Sequence, residues 1–232
     1  MGNSAESRKL SSPVRCQAKE SVRVLIIGAG GHAQVVADIL LRMVDNGHRI
    51  MPVGFLDDNP ALTGLNFLGL PVLGKVSDLP NMTCDSLIVA IGENRIRKHM
   101  LQQLDSNGGR FAVALHPRSI LAPDVEVGDG SMVCAGAIVN TGTVIETNVI
   151  LNTGCTVDHH NLIGDHVHIA PGVHLGGEVQ VGEGTLIGIG ATVMPRRRIG
   201  CWSVVGAGAL VDKDVPDGVV VVGMPARVVR RL

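Results

Sequence analysis

The sequence predicts two folds in one chain, an α/β domain in front and a parallel β-helix behind it. Three observations predict this. An aliphatic residue recurs every six positions from Leu121 to Val211, a strand–glycine turn–helix pattern opens the segment before it, and aromatic side chains make up only 2% of the chain, with no Tyr. A core built from Val, Ile, Leu and Ala, in a chain with 30 Gly, suits thin and closely layered structure. The length of 232 residues is enough for two such cores.

The repeat runs through Leu121, Val127, Val133, Val139, Ile145, Leu151, Val157, Ile163, Ile169, Leu175, Val181, Ile187, Val193, Ile199, Val205 and Val211 without a break in phase. A period of six fits neither an α-helix nor an alternating strand. It fits a short strand plus a tight turn, with one aliphatic pointing inward on each side of a triangular prism. Three repeats then close one coil, and positions 18 apart stack at the ordinary strand spacing of ~4.8 Å. A second register lies four residues after each aliphatic and is mostly small (Ser131, Ala137, Thr143, Cys155, Thr185, Ala191, Ser203, Ala209); Asn161 interrupts it. A polar residue at that position, beside a pair of histidines, is read as function overriding the repeat. Gly directly after the aliphatic, as at Gly128, Gly164, Gly182 and Gly188, is expected to relieve turn torsions.

Residues 21–117 read as a Rossmann-like unit. Val22 to Ile27 is an apolar strand, interrupted only by Arg23; Gly28-Ala29-Gly30-Gly31-His32-Ala33 follows, then a helix from Val35 to Met43. Glycines allow close backbone approach at such a turn, and the helix N-terminus favours an anion. A second strand ends at Asp57-Asp58, and a third, Ser86 to Gly92, opens onto Asn94 and Arg97. Together these groups predict a nucleotide site at the carboxyl ends of parallel strands.

Composition narrows the function classes. A net charge of −1 gives no strong field for nucleic acid or an anionic membrane. Five scattered Cys without metal-type spacing suit a reducing compartment, and no apolar run is long enough to span a bilayer. The expectation is a cytoplasmic protein with a polar extension at 1–20, the front domain at 21–117, the prism at 118–214 and a tail at 215–232.

The combination resembles the bacterial sugar acyltransferases of the left-handed β-helix, hexapeptide-repeat superfamily. The resemblance rests on Gly28-Ala29-Gly30-Gly31-His32-Ala33, Phe55-Leu56-Asp57-Asp58, Ile91-Gly92 with Asn94 and Arg97, Val157-Asp158-His159, and Gly223-Met224-Pro225-Ala226-Arg227. It implies a homotrimer with sites between prisms, acetyl-CoA as co-substrate, no metal, and a UDP- or GDP-linked sugar held by Gly28, Gly30, Gly31, His32, Asp57, Asp58, Asn94 and Arg97. The implied reaction is N-acetylation of a 4-amino-4,6-dideoxy sugar; O-acetylation of sialic acid or another sugar hydroxyl is the alternative. A non-catalytic sugar-nucleotide scaffold is the rival from a different class.

The resemblance also assigns chemistry to individual residues. His159 is the implied general base, Asn152 lines the sugar pocket, and His168 faces the thioester of acetyl-CoA. The CoA slot is expected along Gly188, Gly190 and Ala191, with Arg227 and the Arg196-Arg197-Arg198 run near its phosphates. The tail at 215–232 is expected to complete that slot. One departure stands out: the family often carries an acidic residue directly after the catalytic histidine, and here that residue is His160. His160, His166 and His174 are read as ordinary prism residues. A β-helix zinc hydrolyase needs two His five residues apart, and no pair among His159, His160, His166, His168 and His174 has that spacing. A dinucleotide oxidoreductase would leave the whole prism unexplained.

Overall fold

The computed structural model describes residues 20–232. The expected extension therefore lies, except for its last residue, outside the described residues. The front domain is a five-stranded sheet formed by β1 (Val22–Ile27), β2 (Ile50–Leu56), β3 (Asn66–Phe67), β4 (Leu70–Gly74) and β5 (Ser86–Val89). Helix α1 (Gly31–Asp45) follows β1, and α2 (Asn94–Asp105) follows β5. The strand order is β3-β4-β2-β1-β5, parallel except for the β3–β4 hairpin. The order reverses at β1, so the carboxyl ends of β1 and β5, at Gly28 and Gly92, flank the crevice where open α/β sheets place ligands.

Helix α1 starts at Gly31, four residues before the expected Val35. Gly30 is extended and supplies an N-cap without a side chain, and the sequence reading began only at the first periodic apolar residue. Ala33, Val36, Ala37, Ile39, Leu40 and Met43 form its buried stripe.

Behind it the chain winds into a left-handed, three-faced parallel β-helix. Each face stacks two-residue strands 18 positions apart: Ile138–Val139 pairs with Ile120–Leu121 on one side and with Thr156–Val157 on the other. The inward residues from Val133 to Val211 are buried throughout. Each contributes roughly 1.5–3 kcal/mol of transfer free energy, which lets a coil with so little regular strand hold its shape.

The prism begins one strand earlier than expected, at Ala114–Leu115, which pairs with Met132–Val133. At the other end Val219–Gly223 adds to the face that also holds Ala114–Leu115 and Met132–Val133, here the third face, and then pairs with Ala226–Arg231 as an antiparallel hairpin. The third face carries the front domain. Its outward Met132, Cys134 and Ile150 are buried in one cluster with Val36, Leu40 and Met43 of α1.

Two corner expectations change. The glycines directly after the aliphatics are not the ones with left-handed backbone. A Cβ on Gly128 or Gly188 would come within 2.6 Å of the next coil's backbone, so those glycines are set by coil spacing. The left-handed torsion falls two residues later, at Gly130, Gly142 and Gly190, and also at His160 and His166. Asn161 proves to be part of the corner scaffold. Its Oδ1 accepts from the Val179 N–H, and its Nδ2 donates to the Asp158 and Gly176 carbonyls. Ser131, Thr143, Thr185 and Ser203 make the same bridge to the coil above through their hydroxyls. Buried corner N–H groups need an acceptor, and a short polar side chain supplies it.

Candidate functional site

The first cluster lies in the cleft between the front domain and the third face of the prism. Gly28 (φ 99°) packs against Ala90 at the end of β5, while Gly30 and Gly31 are exposed with open space where a Cβ would point. The first turn of α1 has no acidic residue and no side-chain cap, so its N–H groups remain available to an anion. Asp57 braces this turn from the end of β2, its Oδ2 accepting from the Ala29 N–H at 2.7 Å and its Oδ1 from the Asn59 N–H. Asp58 accepts from the Val76 N–H. Both carboxylates thus hold loops in shape.

His32, at the start of α1, meets His168 of the prism with ring centroids 6.3 Å apart. Burial pulls both imidazoles down to about 4, with the Arg97 charge adding to the shift. Both are therefore neutral at physiological pH. Asn152 reaches His168 Nε2 at 3.1 Å. His32 Nε2 is buried with no hydrogen-bond partner among the described residues.

Arg97 and Asn94 do not face this cleft as nucleotide ligands. Arg97 is fully buried, and its guanidinium donates to the carbonyls of Ile91, Gly92, Asn148 and His166 and to Asn94 Oδ1. Asn94 Nδ2 donates to the Gly184 and Thr185 carbonyls. The two side chains form a clamp joining α2 to one corner of the prism in three successive coils. Strand-end position suggested ligands; only the coil spacing, invisible in the front-domain motif, reveals the clamp.

The second cluster is on a different corner. His159 and His160 are exposed, with His159 Nδ1 3.1 Å from His160 Nδ1. The His159 ring lies on Gly177, 18 residues on, where a Cβ would sit 2.5 Å from Nε2. His160 lies on Gly142 in the same way. Gly177, Gly142 and the nearby Asp124 were missed in the sequence, although counting 18 from each histidine finds both glycines.

Residues 23–104 match the PglD N-terminal domain family. The acetyltransferase domain of PglB from Neisseria gonorrhoeae, solved with acetyl coenzyme A, superposes with a TM-score of 0.83 at 36% identity over 90% of this chain and 100% of that one. The chain belongs to the hexapeptide-repeat bacterial sugar acetyltransferases. PerB from Caulobacter crescentus, solved with CoA and GDP-perosamine, gives a TM-score of 0.81 at 36% identity over 91% of this chain and 98% of its own. The UDP-N-acetylbacillosamine N-acetyltransferase of Bacillus subtilis is 36% identical over 116 residues, 48% of this chain and 51% of that protein. The chain spans between 18% and 51% of the length of the first curated relatives it matches.

The residues of the later coils differ in their surroundings. Gly190 is exposed with φ 65° and no atom near its missing Cβ, and Ile189 beside it is exposed. Gly188 and Ala191 are packing residues, the first lying on the Val205–Ala207 backbone and the second buried. Arg227 pairs with Asp212 at 2.9 Å on the closing hairpin. Arg196 and Arg197 form no ion pair among the described residues. No group of three or more His, Cys, Asp or Glu placed to hold a metal occurs among the described residues. No helix among them is long and apolar enough to cross a membrane.

Proposed function

We propose that this protein transfers the acetyl group of acetyl-CoA to the amine of a nucleotide-linked 4-amino-4,6-dideoxy sugar. One observation carries the reading: the open turn of Gly30 and Gly31, His32, Asn152 and His168 converge on one cleft, while His159 stands exposed at another corner with Nε2 free of protein hydrogen bonds among the described residues. The names of the relatives support it, since PglB was solved with acetyl coenzyme A and PerB with CoA and GDP-perosamine.

In this reading the N-terminus of α1 and the glycine turn receive the diphosphate. The sugar amine attacks the thioester carbonyl, His159 Nε2 takes the amine proton, and the thiolate leaves with a proton. His168, neutral, sits toward the thioester. His159 and His168 lie on different sides of one prism, so the complete site takes its base from a neighbouring copy in a homotrimer. Arg196 and Arg197 are the cations placed for the CoA phosphates, and Gly190 with Ile189 for its extended arm.

The test is CoA release with acetyl-CoA and a panel of UDP- and GDP-linked 4-amino sugars. Turnover on one member is expected; release only with hydroxyl acceptors such as sialic acid would replace this reading with O-acetylation. Mixing inactive His159→Ala and His168→Ala chains tests the shared site. Mixed trimers regain one active interface of the three if the site spans two copies, and stay inactive if it does not.

A further inference from the structure

The ring of His159 makes one hydrogen bond to protein among the described residues, between its Nδ1 and His160 Nδ1 at 3.1 Å, with the two rings 77° apart. Among the described residues no carboxylate accepts a hydrogen bond from that ring. Asp158 Oδ1 accepts from the His159 backbone N–H and from Asn140 Nδ2. Glu178 meets His159 only through its own backbone N–H, which donates to the His159 carbonyl. Asp124 lies on the far side, in the coil below: its Oδ2 accepts from Thr141 Oγ1 at 2.7 Å and from the Gly142 N–H at 2.9 Å.

His160 is held against that same Gly142. A Cβ there would sit 2.9 Å from His160 Nε2, so the outer edge of the ring covers the turn that Asp124 ties down. Thr141, then Gly142, and more weakly the His160 ring hold Asp124 below the usual carboxylate range. The corner therefore stacks His159, His160 and an ionised Asp124 in sequence.

We propose that His160 is the positioning residue of the transfer site: its imidazole accepts the Nδ1–H of His159 and so keeps Nε2 of His159 as the proton acceptor. The inference rests on the reading of His159 as base and names what orients it. Only one proton fits between the two Nδ1 atoms. If it sat on His160, a neutral His159 would carry its own proton on Nε2 and could not act as a base. With the proton on His159 Nδ1, the attacking amine gives its proton to Nε2 as the N–C bond forms. The imidazolium keeps its Nδ1–H on His160, and the Nε2 proton passes to the sulfur as the C–S bond breaks. One proton moves from nitrogen to sulfur and nothing is oxidised. His160 thus does with a neutral acceptor what a carboxylate does in other histidine bases, with Asp124 beyond it offsetting the positive charge.

The experiment compares His160→Ala and His160→Glu with wild type in steady-state kinetics, alongside 15N NMR of the imidazoles. The Ala variant is expected to lose kcat by roughly 10- to 100-fold, part of the 10²–10⁴ that a general base contributes, with KM for both substrates within about twofold. The Glu variant recovers most of the loss. The spectra place the His159 proton on Nδ1 in wild type and distribute it over both nitrogens in His160→Ala, whether or not turnover is observed. Unchanged kcat in His160→Ala while His159→Ala is inactive overturns this inference alone. A loss that appears in KM, or that Glu does not restore, also overturns it by assigning His160 a structural role. An active His159→Ala overturns the underlying reading instead.

Discussion

The Asn152 amide donates to His168 Nε2 at 3.1 Å while its own Oδ1 is held by the Thr153 N–H at 2.8 Å. Because Oδ1 must accept from a backbone donor, Nδ2 is the atom facing His168, and His168 is a neutral imidazole protonated on Nδ1. Replacing Asn152 by Ala removes that donor. We expect kcat/KM for acetyl-CoA to fall about tenfold and stability by about 1 kcal/mol, the net worth of one hydrogen bond. Unchanged kinetics with both substrates would show that His168 needs no partner at Nε2.

Arg97→Met tests the clamp between domains. The substitution leaves buried carbonyls of Ile91, Asn148 and His166 without their donor, so urea unfolding is expected to lose about 3–5 kcal/mol. Lys does not restore it, since one ammonium cannot reproduce the planar fork. If Arg97 instead served a nucleotide, stability would hold and KM for the nucleotide sugar would rise.

These two residues mark where the sequence was legible. The prism was readable because one inward aliphatic every six residues has no other regular solution, and its 18-residue stacking followed directly. The glycine turn was readable because strand, turn and helix are contiguous. Arg97, Asn94 and Asp57 stand at strand ends and so read as ligands; the partners that tie them into the fold include Ala29 for Asp57, Asn148 for Arg97 and Thr185 for Asn94, 28 to 91 residues away and outside any local motif. Asn161 reads as a functional intrusion because it is larger than the small residues of its register, while Ser131, Thr143, Thr185 and Ser203 perform the same bridge. Gly142 and Gly177 passed unnoticed because a glycine in a glycine-rich repeat carries no signal until the side chain stacked on it is known.

The neutral pair His32 and His168 makes stability depend on pH. Both are held at about 4 in the folded protein, against about 6.5 in an unfolded chain. The unfolded chain therefore binds protons first as pH falls, so this stability is complete above about 6.5 and lost progressively down to about 4. Each ring taken alone corresponds to roughly 3 kcal/mol across that window, and because the two interact they titrate as a pair. Denaturation curves between pH 8 and 4.5 should show the loss in wild type and a flatter dependence in His32→Gln. An equal slope in both would contradict the assignment.

Gly177→Ala probes His159 without touching its chemistry. Gly177 has no left-handed backbone, and the new methyl would meet the His159 ring at 2.5 Å. We expect kcat to fall at least tenfold as the ring is displaced, because small misplacements of a reacting group are costly. The melting temperature should change little, since His159 is exposed and free to move aside. A fully active, equally stable variant would show that the His159 position does not matter.

The most direct measurement is the rate of CoA release from acetyl-CoA and the preferred amino sugar nucleotide, in wild type and in His159→Ala, with binding of both substrates followed in parallel. The account predicts a loss of about 10²–10⁴-fold in kcat with both substrates still bound. Turnover that survives the substitution would contradict it and remove His159 from the chemistry.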